Sequence, residues 1–227
     1  MTILALECAA KAASAAILRD GQLVSECFAA SGRTHSETLL PLVDAALRAA
    51  ALSVRDIDIF AVTAGPGSFT GVRIGIAAVK GLAVGSRAGE AAPNCAAVSS
   101  LEAAACNLLG LGSLVLAVMD ARCAQVYAAL FRVNGNEIQR LTPDAALPIA
   151  ELLSTLPTDE PIVTVGDGAR LLENTRPNLV TAPVHLRLPR ACGVAQCAAE
   201  QNTFITAEAL LPIYLRVPQA ERLLNDK

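Results

Sequence analysis

Residues 57–85 of this 227-residue chain read as strand, glycine loop and helix in immediate succession. Ile57 to Thr63 is the strand, Gly65-Pro66-Gly67-Ser68-Phe69-Thr70-Gly71 the loop, and the helix runs from about Thr70 to Val84. A strand that passes through a tight glycine turn into a helix belongs to an α/β layer. The rest of the chain agrees. Thr2 to Cys8, Ala12 to Arg19 and Gln22 to Ala29 read as strands, with a hairpin turn at Asp20-Gly21. Thr34, with Glu37 three residues later, has capping-box spacing and opens a helix to about Ala51. Pro41 lies inside that helix and should kink it or push its regular part later. Gly85 to Asn94 reads as a connector.

A second set of elements then begins. Ser99 with Glu102 opens another helix, Leu114 to Met119 is a strand, and Gln125 to Val133 and Glu137 to Leu141 flank the hairpin signal Asn134-Gly135. A strand at Ile162 to Val165 lies among helices near Ile149–Leu156, Ala169–Asn174 and Cys192–Asn202. Each half has a hairpin followed by alternating helices and strands, so the chain is expected to be two related α/β lobes. The first is 1–98, with the glycine loop and the interface helices; the second is 99–227.

Composition excludes several classes. Hydrophobic residues make up 53% but aromatics only 3%, with no Trp, which suits closely packed helices. A formal net charge of −3 without a basic run argues against autonomous, sequence-specific nucleic-acid binding. Glu7 and Lys11 interrupt the N-terminal apolar stretch, and the run from Ala103 to Val118 is too short and too polar to span a bilayer. Seven cysteines without a CxxC pair fit small buried thiols in a reducing compartment. The expectation is a cytoplasmic chain with no membrane contact.

The glycine loop precedes a helix N-terminus, a setting that can hold an anion. It matches neither a P-loop, since Gly71 is followed by Val72-Arg73, nor a dinucleotide loop. Either it contacts phosphate, or it is a tight turn seating its helix against another backbone. On the helix, Gly71, Gly75, Ala78, Leu82 and Gly85 share one face, and Val72, Ile76, Val79 and Ala83 share the next. The small-residue face is open to a close helix neighbour, either Thr34–Ala51 of the same chain or a partner's helix. With Leu39, Leu40, Val43 and Leu47 beside it, the partner reading makes Gly71, Gly75, Ala78 and Leu82 interface residues. Gly75→Leu is then expected to weaken association and leave the lobe folded.

The two histidines, His35 and His185, are far apart, and Leu39 stands where a paired-histidine metal site needs its second ligand. His35 is read as a solvated or capping residue, no metal site is expected, and no cysteine sits in a reactive setting. Glu7 and Asp120 at strand ends and Asp167 in Gly166-Asp167-Gly168 are either turn caps or cleft-facing acids. With Gly67, Gly166 and Gly168 they are the candidate nucleotide-contact positions.

The stretch from Gly65 to Gly75 resembles the signature of the TsaB (YeaZ) family. So do His35-Ser36-Glu37 before Leu39-Leu40-Pro41-Leu42, Met119-Asp120-Ala121-Arg122 before Val126-Tyr127, Gly166-Asp167-Gly168 and Pro212-Ile213-Tyr214-Leu215-Arg216. The resemblance implies two actin-like, ribonuclease-H-like lobes of the ASKHA type, with mixed sheets flanked by helices. It implies a non-catalytic subunit that dimerises with a TsaD-type transferase in threonylcarbamoyl transfer to the tRNA adenosine beside the anticodon. It also implies the complex's ATPase subunit TsaE as a partner, a homodimer when alone, and no cofactor of its own beyond weak ATP or ADP near the hetero-interface. Glu7-Cys8 stands where the family usually has Asp-Thr, and Gln125 where Glu is usual. The competing readings are an ATPase or sugar-kinase-like enzyme on the same fold, which needs intact acidic phosphate loops, and a peptidase, which needs a metal pair or a nucleophile with its base.

Overall fold

The computed structural model describes residues 1–87, 93–201 and 203–216. The chain begins with three strands, β1 (Thr2–Glu7), β2 (Ala13–Arg19) and β3 (Gln22–Ala29), joined as an antiparallel meander. Asp20 and Gly21 both adopt left-handed φ (51° and 77°), which the two-residue hairpin requires. After α1 (His35–Ala49), β4 (Ile59–Gly65) returns parallel to β1, and α2 (Phe69–Ser86) leads to β5 (Asn94–Ser99), parallel to β4. The first sheet therefore has the order β3-β2-β1-β4-β5.

The second half repeats this plan. After α3 (Ser100–Ala105), β6 (Ser113–Asp120), β7 (Gln125–Asn134) and β8 (Glu137–Arg140) form an antiparallel meander. The strand β9 (Ala145–Pro148) pairs with β7. Beyond α4 (Ile149–Thr155), β10 (Ile162–Val165) joins β6 in parallel and β11 (Leu179–Thr181) joins β10. The order β8-β7-β6-β10-β11 is the first sheet's order with each strand replaced by its counterpart. The duplication expected from the hairpins is thus visible in topology.

Two further helices follow, α5 (Val184–Arg187) and α6 (Ala191–Glu200). The described residues from 191 onward do not keep to the second sheet. Helix α6 packs across β1 and β2 and against α3, burying Ala191, Val194, Ala195 and Ala198 with Ile3, Ala5 and Ala16. Beyond it, Ile205 bridges to Cys95 on the edge of β5, and Ile213 donates its amide to Ala64 O. Alanine on both surfaces lets the helix lie close to the sheet, which is where the alanine-rich composition is used.

The helix expected from Thr34 runs through Pro41 from His35 to Ala49. The N–H that Pro41 lacks would have bonded Glu37 O, and Glu37 lies in the exposed first turn, where a carbonyl is open to solvent. Thr34 is the N-cap, but its side chain caps no amide. Ser99 does cap α3, accepting Glu102 N at 3.3 Å. The connector expected at 85–94 ends in strand β5 at Asn94, and its residues 88–92 lie outside those described, as does Asn202 at the expected end of the last helix.

Candidate functional site

Both sheets direct the C-terminal ends of their central strands, β1 with β4 and β6 with β10, into one cleft between the lobes. A compartment of about 400 Å³ is lined by Lys11, Asp120, Arg122, Tyr127, Asp167 and Arg216, with Phe69 and Tyr214 at its edge. A second, of about 840 Å³, opens beside it and shares Lys11, His35, Ser68 and Asp167.

The sequence-derived positions converge here, but most are committed to the chain itself. Glu7 is fully buried, not facing the cleft. Its Oε1 accepts the amides of Ala9 (2.8 Å) and Ala10 (3.2 Å), the donors of the β1–β2 turn. Its Oε2 and the buried Thr63 Oγ1 have no hydrogen-bond partner. Burial pushes the Glu7 carboxyl up to about 7, against the opposing pull of the two amides. A turn whose amides already hold a carboxylate has none of those donors left for a phosphate.

The glycines serve close backbone approach. A Cβ on Gly67 would overlap Ala9 O, one on Gly71 would overlap Cys8 O, and Ser68 donates its amide to Ala9 O at 2.7 Å. The loop is therefore the turn that seats α2 against the end of β1. Gly166 and Gly168 stand against Val118 and Met119 of β6, and their amides go to Arg187 O (2.6 Å) and Val118 O (3.0 Å). Asp167 Oδ1 accepts the Asp120 amide at 3.2 Å, and burial raises the Asp167 carboxyl, with Lys11 and Arg122 opposing. Asp120 Oδ1 in turn accepts Arg122 N at 2.8 Å. His35 is half-buried, with Nε2 2.9 Å from Ala10 O, so it ties α1 to the β1–β2 turn.

The cleft also gathers side chains that spacing did not single out as site residues. Both tyrosines of the chain line it. Tyr214 stacks on Phe69 (centroids 4.8 Å apart), and Arg73 lies 3.8 Å over Phe69 while donating to Tyr214 Oη at 2.7 Å. Arg216 donates to the carbonyls of Ala121 and Arg122. Cys123, at the tip of the β6–β7 turn, is exposed, unlike the buried Cys8, Cys95, Cys106 and Cys197.

The paired helices α1 and α2 overturn part of the expected contact surface. Leu39, Val43 and Leu47 are buried in the first lobe's own core. Gly71 and Gly75 are buried too, facing Cys8 and Val62 rather than a partner. The reason is register: the first two turns of α2 cross the end of β1, so the small-residue face points into the chain. What remains outward is Leu40 and Val84, just over half exposed, with Ala77, Gly81 and Gly85, while Ala78 and Leu82 are partly covered.

A family model described as TsaD, tRNA N6-adenosine threonylcarbamoyltransferase, matches residues 29–206. The chain is 30% identical over 229 residues to the Bacillus subtilis tRNA threonylcarbamoyladenosine biosynthesis protein TsaB, covering 97% of this chain and 96% of that protein. The chain belongs to the TsaB family. The Escherichia coli TsaB protein is 31% identical over 234 residues, with full coverage of both. Among solved structures, YeaZ from Pseudomonas aeruginosa superposes with a TM-score of 0.80 at 30% identity, over 94% of this chain and 99% of that one. Component A of (R)-2-hydroxyglutaryl-CoA dehydratase from Acidaminococcus fermentans, 12% identical with a TM-score of 0.51 over 87% and 97%, shares the fold alone. The expected class, two actin-like lobes with mixed sheets flanked by helices, is the one observed.

Proposed function

We propose that this chain is a cytoplasmic, non-catalytic subunit in tRNA threonylcarbamoyladenosine biosynthesis that dimerises with a TsaD-type transferase. The biosynthetic role rests on the names its full-length relatives carry and on its match to the TsaD family. The observation that carries the dimerising role is the outward face of α1 and α2. Leu40 on α1 and Val84 on α2 offer exposed apolar area, and Ala77, Gly81 and Gly85 keep the exposed side of α2 low. A Cβ on Gly81 or Gly85 would meet nothing within 4 Å among the described residues, so these glycines answer no packing need there. Each weakens an isolated helix by ~1 kcal/mol relative to alanine, and a partner helix approaching to ~8–10 Å would use the space they leave. The same face supports a homodimer when the transferase is missing.

The alternative, an ATPase or kinase-like enzyme, would need the β1–β2 turn to hold phosphate, and Glu7 already occupies its amides. Any ATP or ADP is therefore assigned weak binding near the hetero-interface, and TsaE is assigned to the assembled complex. The test is co-elution of the purified chain with the TsaD-type protein of the same genome. Leu40→Arg and Gly81→Arg should each abolish co-elution while melting like the parent. Normal melting with undiminished co-elution would place the interface on another face.

A further inference from the structure

From the larger compartment of the cleft we infer that the chain carries a groove for an extended acidic–aliphatic peptide segment of a partner protein. The groove has about 840 Å³, within the ~300–1,000 Å³ of ligand-binding clefts. Four cationic side chains line it, Lys11, Arg33, Arg170 and Arg187, against one acid, Asp167. This concentration of positive charge occurs in a chain whose net charge is −3. None of the four cations makes an ion pair among the described residues. Lys11, Arg33 and Arg170 are exposed, and Arg187 is held in place by its bonds to Ala182 O (3.1 and 3.2 Å). Unpaired guanidinium groups on a concave surface select carboxylates or phosphates, which they bind in bidentate fashion.

The remainder of the lining decides between those two. Ile74, Val184 and Leu188 supply aliphatic surface, and Val184 is 74% exposed, with nothing among the described residues covering it. The one ring in its lining is the His35 imidazole, whose Nε2 is held 2.9 Å from Ala10 O; Phe69, Tyr127 and Tyr214 line its neighbour. Single-stranded RNA is held by stacking its bases on aromatic rings. A basic groove with aliphatic walls and a single imidazole already tied to a backbone carbonyl instead matches a peptide that alternates carboxylates with leucine, isoleucine or valine. The groove lies at the N-terminal ends of α1 and α2, bordered by Thr34, Ser36 and Thr70. The inference needs no second subunit and is independent of which face of α1 and α2 meets the transferase.

The experiment uses the isolated chain. A random octapeptide library displayed on phage is selected on the parent protein and, in parallel, on the Arg33→Glu/Arg170→Glu variant. Neither side chain makes a hydrogen bond in the described structure, so the reversal should leave folding intact, and thermal melting checks this. The best peptide is then synthesised in its acidic form and in an amide form with glutamine and asparagine. Expected are selected sequences rich in aspartate or glutamate between aliphatic residues, bound at least about tenfold more tightly than the amide form. The charge reversal should cost about tenfold or more, and high salt should weaken binding likewise. If the reversal lowers the melting temperature, Arg33→Gln/Arg170→Gln takes its place and must still weaken binding. The inference is overturned if selected peptides lack acids, if neither arginine variant changes their affinity, or if an oligouridine octamer binds more tightly than any peptide.

Discussion

A Cβ on Gly75 would stand 2.5 Å from Cys8 Sγ, with Val62 Cγ2 at 3.0 Å behind it. The middle of α2 is therefore fitted to the end of β1 by the absence of a side chain. This reverses the expectation that Gly75→Leu would leave the lobe folded. Three alanine substitutions along the helix should give a graded series. Gly71→Ala meets the Cys8 carbonyl, which cannot rotate away, and should be the most damaging. Gly75→Ala meets a thiol and a methyl and should cost ~1–3 kcal/mol by overpacking. Gly81→Ala meets nothing and should stabilise by ~0.5–1 kcal/mol. Urea unfolding of the three variants at constant m-value checks the order, and equal effects at Gly75 and Gly81 would contradict the fit.

Glu7 gives the fold a pH dependence of definite sign. Its carboxyl is raised to about 7 by burial, whereas in the unfolded chain it titrates near its ordinary value of 4.5. Between these values the native state holds a proton that the unfolded state has released, so stability falls as pH rises through this window. The contribution, roughly 3 kcal/mol, is complete below the lower value and gone above the upper one. Glu7→Gln removes the titration and keeps an acceptor for Ala9 and Ala10, while its amide nitrogen can donate to the orphaned Thr63 Oγ1. The variant should unfold at a higher temperature than the parent at pH 8, with the difference shrinking toward pH 5. Parallel curves for the two proteins would mean that Glu7 stays ionised throughout.

Much of this architecture is legible in the sequence because its signals are local. The hairpins at Asp20-Gly21 and Asn134-Gly135 and the strand–loop–helix at 59–86 depend on nearby residues. The strands β5, β9 and β11 were missed for a common reason. Asn-Cys-Ala-Ala-Val-Ser has little strand propensity of its own, and β5 exists because β4 offers a parallel edge. The four-residue β9 and three-residue β11 are likewise defined by β7 and β10. The cleft was harder still. Arg73 and Tyr214 meet across 141 positions, and no spacing rule brings them together. Glu7 shows the opposite limit: its place at a strand end was correct, but whether it faced the cleft or the core was fixed by how the β1–β2 turn folds back.

The contact of Arg73 with Phe69 and Tyr214 holds the last described segment to the start of α2. Tyr214→Phe keeps the stack and loses one hydrogen bond, about 0.5–1.5 kcal/mol. Tyr214→Ala loses the stack as well, a further ~0.5–1.5 kcal/mol. Limited proteolysis should then cut first near residues 211–216 in the alanine variant and leave the phenylalanine variant close to the parent. Equal cleavage of parent and alanine variant would show that Ile213 and Arg216 hold the segment without the ring.

Between β6 and β7, Arg122, Cys123 and Ala124 have φ of 65°, 53° and 54°, three successive non-glycine residues in the left-handed region. Each costs ~1–2 kcal/mol relative to the right-handed form, so the turn persists only because other bonds over-determine it. Ala121 N donates to Gln125 O at 3.0 Å, Gln125 N to Arg122 O at 3.1 Å, and Asp120 Oδ1 accepts Arg122 N. Arg216 closes the set from outside by donating to the Ala121 and Arg122 carbonyls. Two substitutions should therefore act in opposite directions. Ala124→Gly removes the steric penalty at one position; after the entropy a glycine adds to the unfolded chain, it should stabilise by up to ~1 kcal/mol. Arg216→Ala removes the clamp and should speed amide exchange at Gln125, while β6 and β7 keep their protection. Hydrogen exchange followed by mass spectrometry resolves the turn from its strands. Unchanged exchange in Arg216→Ala, together with a destabilised Ala124→Gly, would mean that the left-handed turn is maintained by its own bonds and not by the C-terminal segment.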